Sequence, residues 1–197
     1  MNYYRNLFIQ TGRFTRAMSA RGKLPPSNEL ERVCDEFNSL VSSGKSQDEL
    51  WNYLFDKYPE FASRIDGQGD PFETFRLGIC AKYSCAVPTL FTTTALAHLS
   101  PFVEIGAGSG YWAKLLADQG ASIVAFDNGE SEWSSKFFDV KKGGPEVLRS
   151  IPEDHTLLLI WPPDASDMAF SALKAFRGNR VVYIGERRGG RMANDKF

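Results

Sequence analysis

Glycines and acids between Phe102 and Asp127 have the types and spacing of a ligand-binding loop. The stretch reads F-V-E-I-G-A-G-S-G-Y-W-A-K-L-L-A-D-Q-G-A-S-I-V-A-F-D. Its apolar start predicts a strand, and its glycines predict a turn. Leu115 and Leu116 then indicate a helix that ends at Gly120, and S-I-V-A-F predicts a second strand. Glycines let the backbone approach a ligand, a helix start presents unpaired N–H groups, and an acid after the next strand accepts ribose hydroxyls. The stretch therefore predicts a site for a nucleoside-containing cofactor.

The spacing of these glycines excludes two other nucleotide-binding loops. The dinucleotide fingerprint G-x-G-x-x-G needs glycine at position 111, where this chain has Tyr111, and a Walker loop needs a Gly-Lys-Ser/Thr that does not follow. The pattern is G-x-G-x-G instead. V-E-I-G-A-G-S-G, followed about twenty residues later by an acid, resembles motif I and the ribose-binding acid of class I S-adenosylmethionine-dependent methyltransferases. The alternative interpretation of the glycines is a tight turn that binds no ligand.

The resemblance implies S-adenosyl-L-methionine as the cofactor and assigns it a set of residues. Glu104 occupies the family's acidic position in the first strand and would support the methionine moiety, while Asp127 would hold the ribose. Gly143-Gly144 stands where the family's adenine-bracketing loop lies, without the acid that is common there, so contact with the base falls to backbone groups or apolar walls. The expected cofactor-binding residues are Glu104, Gly106, Ala107, Gly108, Gly110, Asp127, Asn128, Gly144, Trp161 and Pro162.

The segment Trp161-Pro162-Pro163-Asp164 stands where amino-methylating members of the family carry D/N/S-P-P-Y/F. In those proteins the first residue accepts hydrogen bonds from the target amine. An indole is only a donor, so Trp161 argues against methylation of a base or a glutamine. Methyl transfer depends mainly on alignment of the reacting atoms, and a general base is optional. If one acts, Asp164 and Glu186 at strand ends are the candidate catalytic residues.

Composition narrows the class and compartment of the protein. Its 197 residues, 43% of them hydrophobic, suffice for one α/β domain with an appendage, and the formal charge of −1 gives no global attraction to nucleic acid or membrane. The three cysteines form no C-x-x-C pair, which argues against a disulfide framework and against a metal site. No apolar run has the length of a membrane span, and no signal-peptide core is present. We expect a cytoplasmic protein with no metal and no membrane partner.

The N-terminal part of the chain divides into a basic arm, residues 1–26, and a helical segment, residues 27–100. The arm carries arginines, a lysine and aromatics but no acid. This composition leaves three interpretations open: a solvated arm, an organelle transit peptide, or a segment that binds a polynucleotide. Capping signals at Asn28 and Ser46, and Pro71 at a first helical position, predict amphipathic helices with apolar stripes that pack in a core. We expect this helical segment to pack on the cofactor-binding domain.

Residues 101–197 form the predicted cofactor-binding α/β domain. Five strands are expected, at residues 102–105, 122–126, 137–140, 155–161 and 180–184. The family would order them 3-2-1-4-5, a Rossmann-like sheet, here lacking the terminal antiparallel hairpin. Without the hairpin the fifth strand would be an exposed edge, so we expect a homodimer or a complex that covers this edge, or a tendency to aggregate.

Three functions follow as hypotheses. The first is an S-adenosylmethionine-dependent methyltransferase whose acceptor is a small molecule or an accessible protein or RNA group. The second is a cofactor-binding but catalytically inactive methyltransferase-like partner subunit, suggested by the missing hairpin and the altered P-P motif. The third is an RNA-associated protein that uses its basic arm. The segments T-L-L-L-I-W-P-P and A-F-R-G-N-R-V-V-Y-I-G-E also resemble a group of uncharacterised methyltransferase-like proteins.

Overall fold

A computed structural model describes residues 28–62, 70–131, 135–186, 192–194 and 196–197. Contacts along the chain divide it into two compact units. Among the described residues, the first unit holds those up to Ile79 together with Val87–Phe91, and the second holds Cys80–Ala86 and those from Thr92 onward. The basic arm, with its transit-peptide and polynucleotide-binding interpretations, lies outside the described residues.

Helices precede the sheet at the places that the capping signals predict. Asn28 Oδ1 accepts the Glu31 N–H at 2.9 Å and caps the first helix. Ser46 and Glu49 form a reciprocal capping box at the second. Each cap satisfies an N–H group that a helix start leaves unpaired, so these sites are confirmed as helix starts. The helices described before the sheet are α1 (Glu29–Ser42), α2 (Gln47–Lys57), α3 (Pro59–Ala62), α4 (Pro71–Lys82) and α5 (Leu90–Ala97).

The core of the first unit is apolar and aromatic. Leu30 of α1 and Leu54 of α2 are fully buried. Phe37 stacks on Phe75, with ring centroids 4.0 Å apart and ring planes 10° apart. Large rings of this kind dominate the apolar area that a small core removes from water. The helical stripes are therefore core-packing faces, as predicted.

The second unit is built on a parallel sheet. Its strands lie in the order β3-β2-β1-β4-β5, and every neighbouring pair is parallel. The predicted Rossmann-like order is confirmed. The remaining helical elements are α6 between β1 and β2, a 3₁₀ helix between β3 and β4, and α7 between β4 and β5. The bounds are β1 (Phe102–Ile105), α6 (Tyr111–Asp118), β2 (Ile123–Asp127), β3 (Val140–Lys142), 3₁₀ helix (Pro145–Ser150), β4 (Thr156–Ile160), α7 (Met168–Ala175) and β5 (Arg180–Ile184).

The third predicted strand is present, but its predicted bounds, residues 137–140, are wrong, because β3 begins only at Val140 and ends at Lys142. Phe137 belongs instead to an aromatic cluster: its ring stacks on Tyr83 at 5.5 Å, and its N–H donates to the Ser109 carbonyl at 2.8 Å. The short apolar run that suggested a strand is used to bury a ring beside the glycine loop. An apolar run of this length does not show whether the segment forms a strand or an irregular segment with a buried ring.

The interior strand β4 carries part of the core on both faces of the sheet, and all of its residues are buried. Leu158 and Ile160 pack with Trp112 and Leu116 of α6. Leu157 and Leu159 pack on the other face with Ala169 and Ala172 of α7. A strand covered on both sides is predicted by a continuous apolar run such as T-L-L-L-I. This burial holds the carboxyl end of β4, and the residues that follow it, in a fixed position.

At one side of the sheet lies β5, and no other described strand pairs with its outer edge. Val181 in this strand is 44% exposed. The predicted edge is therefore present, while the homodimer or complex that would cover it stays a prediction. None of the helices in the described segments has both the length and the hydropathy needed to cross a membrane.

Candidate functional site

The candidate site lies where the central parallel strands end. In a parallel sheet the carboxyl ends of neighbouring strands lie at one edge, and ligands of open α/β sheets bind there. The turn after β1 carries the three glycines, β2 ends on Asp127, and Trp161 follows β4. Because β1 pairs with both β2 and β4, these three features are neighbours. The fold thus brings together the predicted glycine loop, the predicted ribose-binding acid and the turn of the altered P-P motif.

The glycine loop has a backbone that favours glycine at each of its three positions. Gly106, Gly108 and Gly110 have φ angles of 77°, 57° and 75°. In this left-handed region a Cβ costs roughly 1–2 kcal/mol. The N–H groups of Gly106 and Ala107 both donate to the Phe126 carbonyl, at 2.9 and 3.0 Å, which ties the loop to β2.

Neighbouring side chains also restrict the space beside two of the glycines, more strictly at Gly110 than at Gly106. A Cβ at Gly106 would lie 2.9 Å from Cε of Met168, and one at Gly110 would lie 2.7 Å from Cβ of Phe138 and 2.8 Å from Cγ2 of Val140. The protein's own side chains thus occupy the space beside both residues. The prediction assigned these glycines to close approach of a ligand. At Gly110 internal packing is a second sufficient reason, whereas at Gly106 the close atom is the flexible end of Met168, which can move aside.

Asp127 joins the glycine loop to the end of β2. Its carboxylate accepts the Gly108 N–H at 2.9 Å through Oδ2 and the Gly129 N–H at 2.8 Å through Oδ1. Its carbonyl accepts the Gly143 N–H at 3.0 Å. Each carboxylate oxygen has two lone pairs, so each retains acceptor capacity after these bonds. Half-buried and already oriented, this carboxylate is suited to accept further hydroxyl donors.

Glu104 is a buried acid within β1, only 2% exposed, between Ala125 of β2 and Leu158 of β4. Its Oε2 has no hydrogen-bond partner among the described residues. Burial, and next the charge of Asp127, raise the pKa of the Glu104 carboxyl to about 8. At neutral pH this group is therefore mainly a protonated, neutral acid. A buried polar atom without a hydrogen-bond partner is rare and costs stability. A ligand that formed a hydrogen bond with Oε2 would remove this cost.

The buried hydroxyl of Ser109, which the sequence analysis missed, stabilises the glycine loop through hydrogen bonds. Ser109 is buried; its Oγ donates to the Tyr83 carbonyl and accepts the Tyr111 N–H at 3.3 Å. Tyr83 meets Tyr111 edge to face, with ring centroids 5.2 Å apart, and both rings contact Phe137. The only signal in the sequence was the serine inside G-A-G-S-G, because its partner lies in a different part of the chain.

The turn after β4 departs from regular backbone at Trp161, whose φ is 49°. Its N–H donates to the Ile184 carbonyl at 2.7 Å. Pro162 is buried, and its carbonyl accepts the Ala193 N–H at 2.9 Å. A large residue in the left-handed region is a strained conformation of the kind that clusters at functional sites. The altered P-P motif is therefore a fixed and strained turn beside the glycine loop.

The remaining predicted residues lie near the same edge but with other local roles. Asn128 is exposed, and its Oδ1 accepts the Glu130 N–H at 3.0 Å in a turn. The Gly144 N–H donates to Oε1 of Glu146 at 2.7 Å, two residues beyond β3. Asp164 is exposed after Pro163, and Glu186 follows β5 with its carbonyl accepting the Tyr183 hydroxyl at 2.8 Å. The strand pairing places Asp164 and Glu186 after neighbouring strands.

Comparisons with protein-family models, with curated proteins and with solved structures found no match. Within the described segments, no group of three or more His, Cys, Asp or Glu side chains is placed to hold a metal ion. The function must therefore be argued from the chemistry of the site. That chemistry consists of a glycine backbone loop, an oriented carboxylate at the tip of β2 and a neutral buried acid in β1.

Proposed function

We propose that the protein is an S-adenosylmethionine-dependent methyltransferase. The observation that supports this most strongly is the hydrogen bond from the Gly108 N–H to Oδ2 of Asp127. It fixes the carboxylate at the tip of β2 next to a backbone without a side chain. A ribose diol bound at this carboxylate would place the rest of a nucleoside against the glycine loop.

The residues present fit such a cofactor. Asp127 would accept hydrogen bonds from the ribose hydroxyls with its remaining lone pairs, and Gly108 would allow the ligand to lie close to the backbone of the loop. Glu104 would face the methionine end, where a positive ammonium group favours the ionised form of an acid. The cofactor supplies an electrophilic methyl group, so the protein's part is to bind and align the reactants.

A nicotinamide cofactor is a poorer fit. The dinucleotide fingerprint needs glycine where Tyr111 begins α6. The Tyr111 ring is buried and meets Phe137 edge to face at 4.8 Å. The third glycine of that fingerprint allows the helix to pack closely on the strand, and here a buried aromatic ring stands in its place, so the dinucleotide pattern is not met.

The turn after β4 bears on the acceptor. Trp161 carries no side-chain acceptor, and the Ala193 N–H occupies one of the two lone pairs of the Pro162 carbonyl. An amine substrate would thus find few acceptors at the place where the resembling family binds amines. These two features favour an acceptor other than an amine, and they also favour the second candidate, a cofactor-binding partner subunit without transferase activity.

Titration calorimetry with S-adenosylhomocysteine tests the proposal. We expect binding that NAD does not compete, and we expect Asp127→Asn to weaken it by roughly 1.5–3 kcal/mol, the value of charge-assisted hydrogen bonds. The matched control is Asp118→Asn, because Asp118 is an exposed acid of the same unit that pairs with Lys114 at 2.6 Å. No binding by the wild-type protein would refute the proposal.

Because Asp127 also holds Gly108 and Gly129, its replacement alone does not isolate the ribose contact. A second ligand, 2′-deoxy-S-adenosylhomocysteine, separates the two effects. Removal of the hydroxyl should weaken binding to the wild-type protein and should have little further effect in Asp127→Asn, as expected for interacting groups. Equal losses in both proteins would remove the ribose role. Binding without methyl transfer to any acceptor would favour the partner-subunit candidate.

A further inference from the structure

The end of the described chain folds back on the turn that follows β4. We call residues 192–194 and 196–197 the strap. Met192 forms an antiparallel bridge with Pro163, and the Ala193 N–H donates to the Pro162 carbonyl at 2.9 Å. At its far end the Phe197 ring lies 5.0 Å from the ring of Tyr183 in β5. The strap thus contacts both the turn after β4 and the neighbouring strand.

Asp167, immediately before α7, anchors the strap. Its Oδ1 accepts the side-chain amide of Asn194, and its Oδ2 accepts the Lys196 ammonium at 2.6 Å. An acid at this position would ordinarily cap its own helix, but Asp167 makes no such bond, and Ser166 Oγ accepts the Met168 N–H at 3.1 Å instead. Bonds from Lys196 and then Asn194 also lower the pKa of Asp167. Both oxygens of the Asp167 carboxylate therefore bond to the strap.

Both ends of this anchorage reach the candidate site. Met168 follows Asp167 in the chain, and its Cε is the atom that fills the space beside Gly106. Pro162, held by Ala193, follows Trp161, whose φ of 49° is unfavourable for a large residue. A strained residue keeps its conformation only where its surroundings over-determine it. The strap holds the Trp161–Pro163 turn through Pro162, and it also holds Asp167, the neighbour in the chain of the Met168 that lies beside Gly106.

We propose that Asp167 is a positioning residue, which acts through the strap to hold the Trp161–Pro163 turn and Met168 in the arrangement that binds the cofactor. This inference rests on the proposed function. Closing of the strap and binding of the cofactor then favour each other. Such coupling is reciprocal: the factor by which the ligand stabilises the closed strap equals the factor by which an open strap weakens the ligand.

Hydrogen exchange and calorimetry together test the coupling. In the wild-type protein we expect saturating S-adenosylhomocysteine to slow exchange of the Ala193 amide by about two- to fivefold, the range of one exposed charged contact. Asp167→Ala should weaken binding of S-adenosylhomocysteine, by at most the same two- to fivefold factor. Ala193→Pro opens the strap without changing charge, because proline lacks the N–H and cannot adopt the φ of 55° found there. Asp118→Ala is the control for loss of an exposed ion pair.

A merely structural role for Asp167 predicts another pattern. Melting temperature would fall in Asp167→Ala, but the ligand would leave exchange of the Ala193 amide unchanged, and this result would overturn the inference. The wild-type exchange measurement needs no variant, so a misfolded variant does not prevent the decision. If the wild-type protein fails to bind S-adenosylhomocysteine, the proposed function fails and the inference with it. If it binds without coupling to Ala193, only the role of the strap is refuted.

Discussion

Replacement of Glu104 by glutamine should remove a large pH dependence of stability. The folded protein holds the Glu104 proton up to about pH 8, whereas the usual value for glutamic acid is 4.5. Between these values the unfolded chain has lost the proton and the folded protein has kept it. The unfolded state then binds fewer protons, so the free energy of unfolding falls as pH rises. The stabilising contribution is complete below pH 4.5 and is lost on passing through pH 8.

The size of this effect follows from the two pKa values. Each pH unit between them changes the free energy of unfolding by about 1.4 kcal/mol, which gives at most about 5 kcal/mol over the whole interval and about 3 kcal/mol by pH 7. Water penetration and local relaxation reduce the penalty of a buried charge below this limit. Even half of it is a large share of the stability of a typical domain, about 5–15 kcal/mol.

Urea unfolding of wild type and Glu104→Gln between pH 5 and pH 9 measures the effect. At pH 5 both side chains are neutral and similar in shape, so we expect similar stability. Above pH 8 the variant should be the more stable protein by several kcal/mol. Glu153→Gln, at an exposed position before β4, is the control. Other titrating groups contribute to both proteins and cancel in the difference. Parallel stability curves for wild type and Glu104→Gln would refute a buried, protonated Glu104.

Two further predictions concern the glycine loop and the sheet edge. Gly106→Ala should destabilise the protein by about 1–2 kcal/mol because of its left-handed backbone. Gly129→Ala, with φ of 74° and nothing within 4 Å of the added Cβ, is the matched control in urea unfolding, and any excess cost at Gly106 reports the Met168 contact. Val181→Lys should reduce self-association measured by light scattering, because a charge on an edge strand opposes pairing. Equal association of both proteins, or a wild type that stays monomeric, would contradict the prediction about the edge.

The sequence was sufficient wherever a local signal and the fold agreed. The Ser46–Glu49 capping box, the glycine turn before α6 and the continuous apolar run of β4 each predicted the element that the structure contains. The order of the sheet agrees with the order that the family resemblance implied. Glu104 and Asp127 were found for the same reason, because their places in a strand and at a strand tip are set by short-range pattern.

What the sequence left undecided depends on contacts between distant parts of the chain. Phe137 is drawn from its expected strand by Tyr83 and Tyr111. The space beside Gly106 is filled by Met168 rather than left to a ligand alone. Nothing local to Trp161 indicates a left-handed backbone, which is held by Ile184 and, through Pro162, by the strap. Periodicity and capping signals report the secondary structure that a segment's own residues favour. Burial, backbone strain and protonation depend instead on which groups the tertiary structure places around that segment.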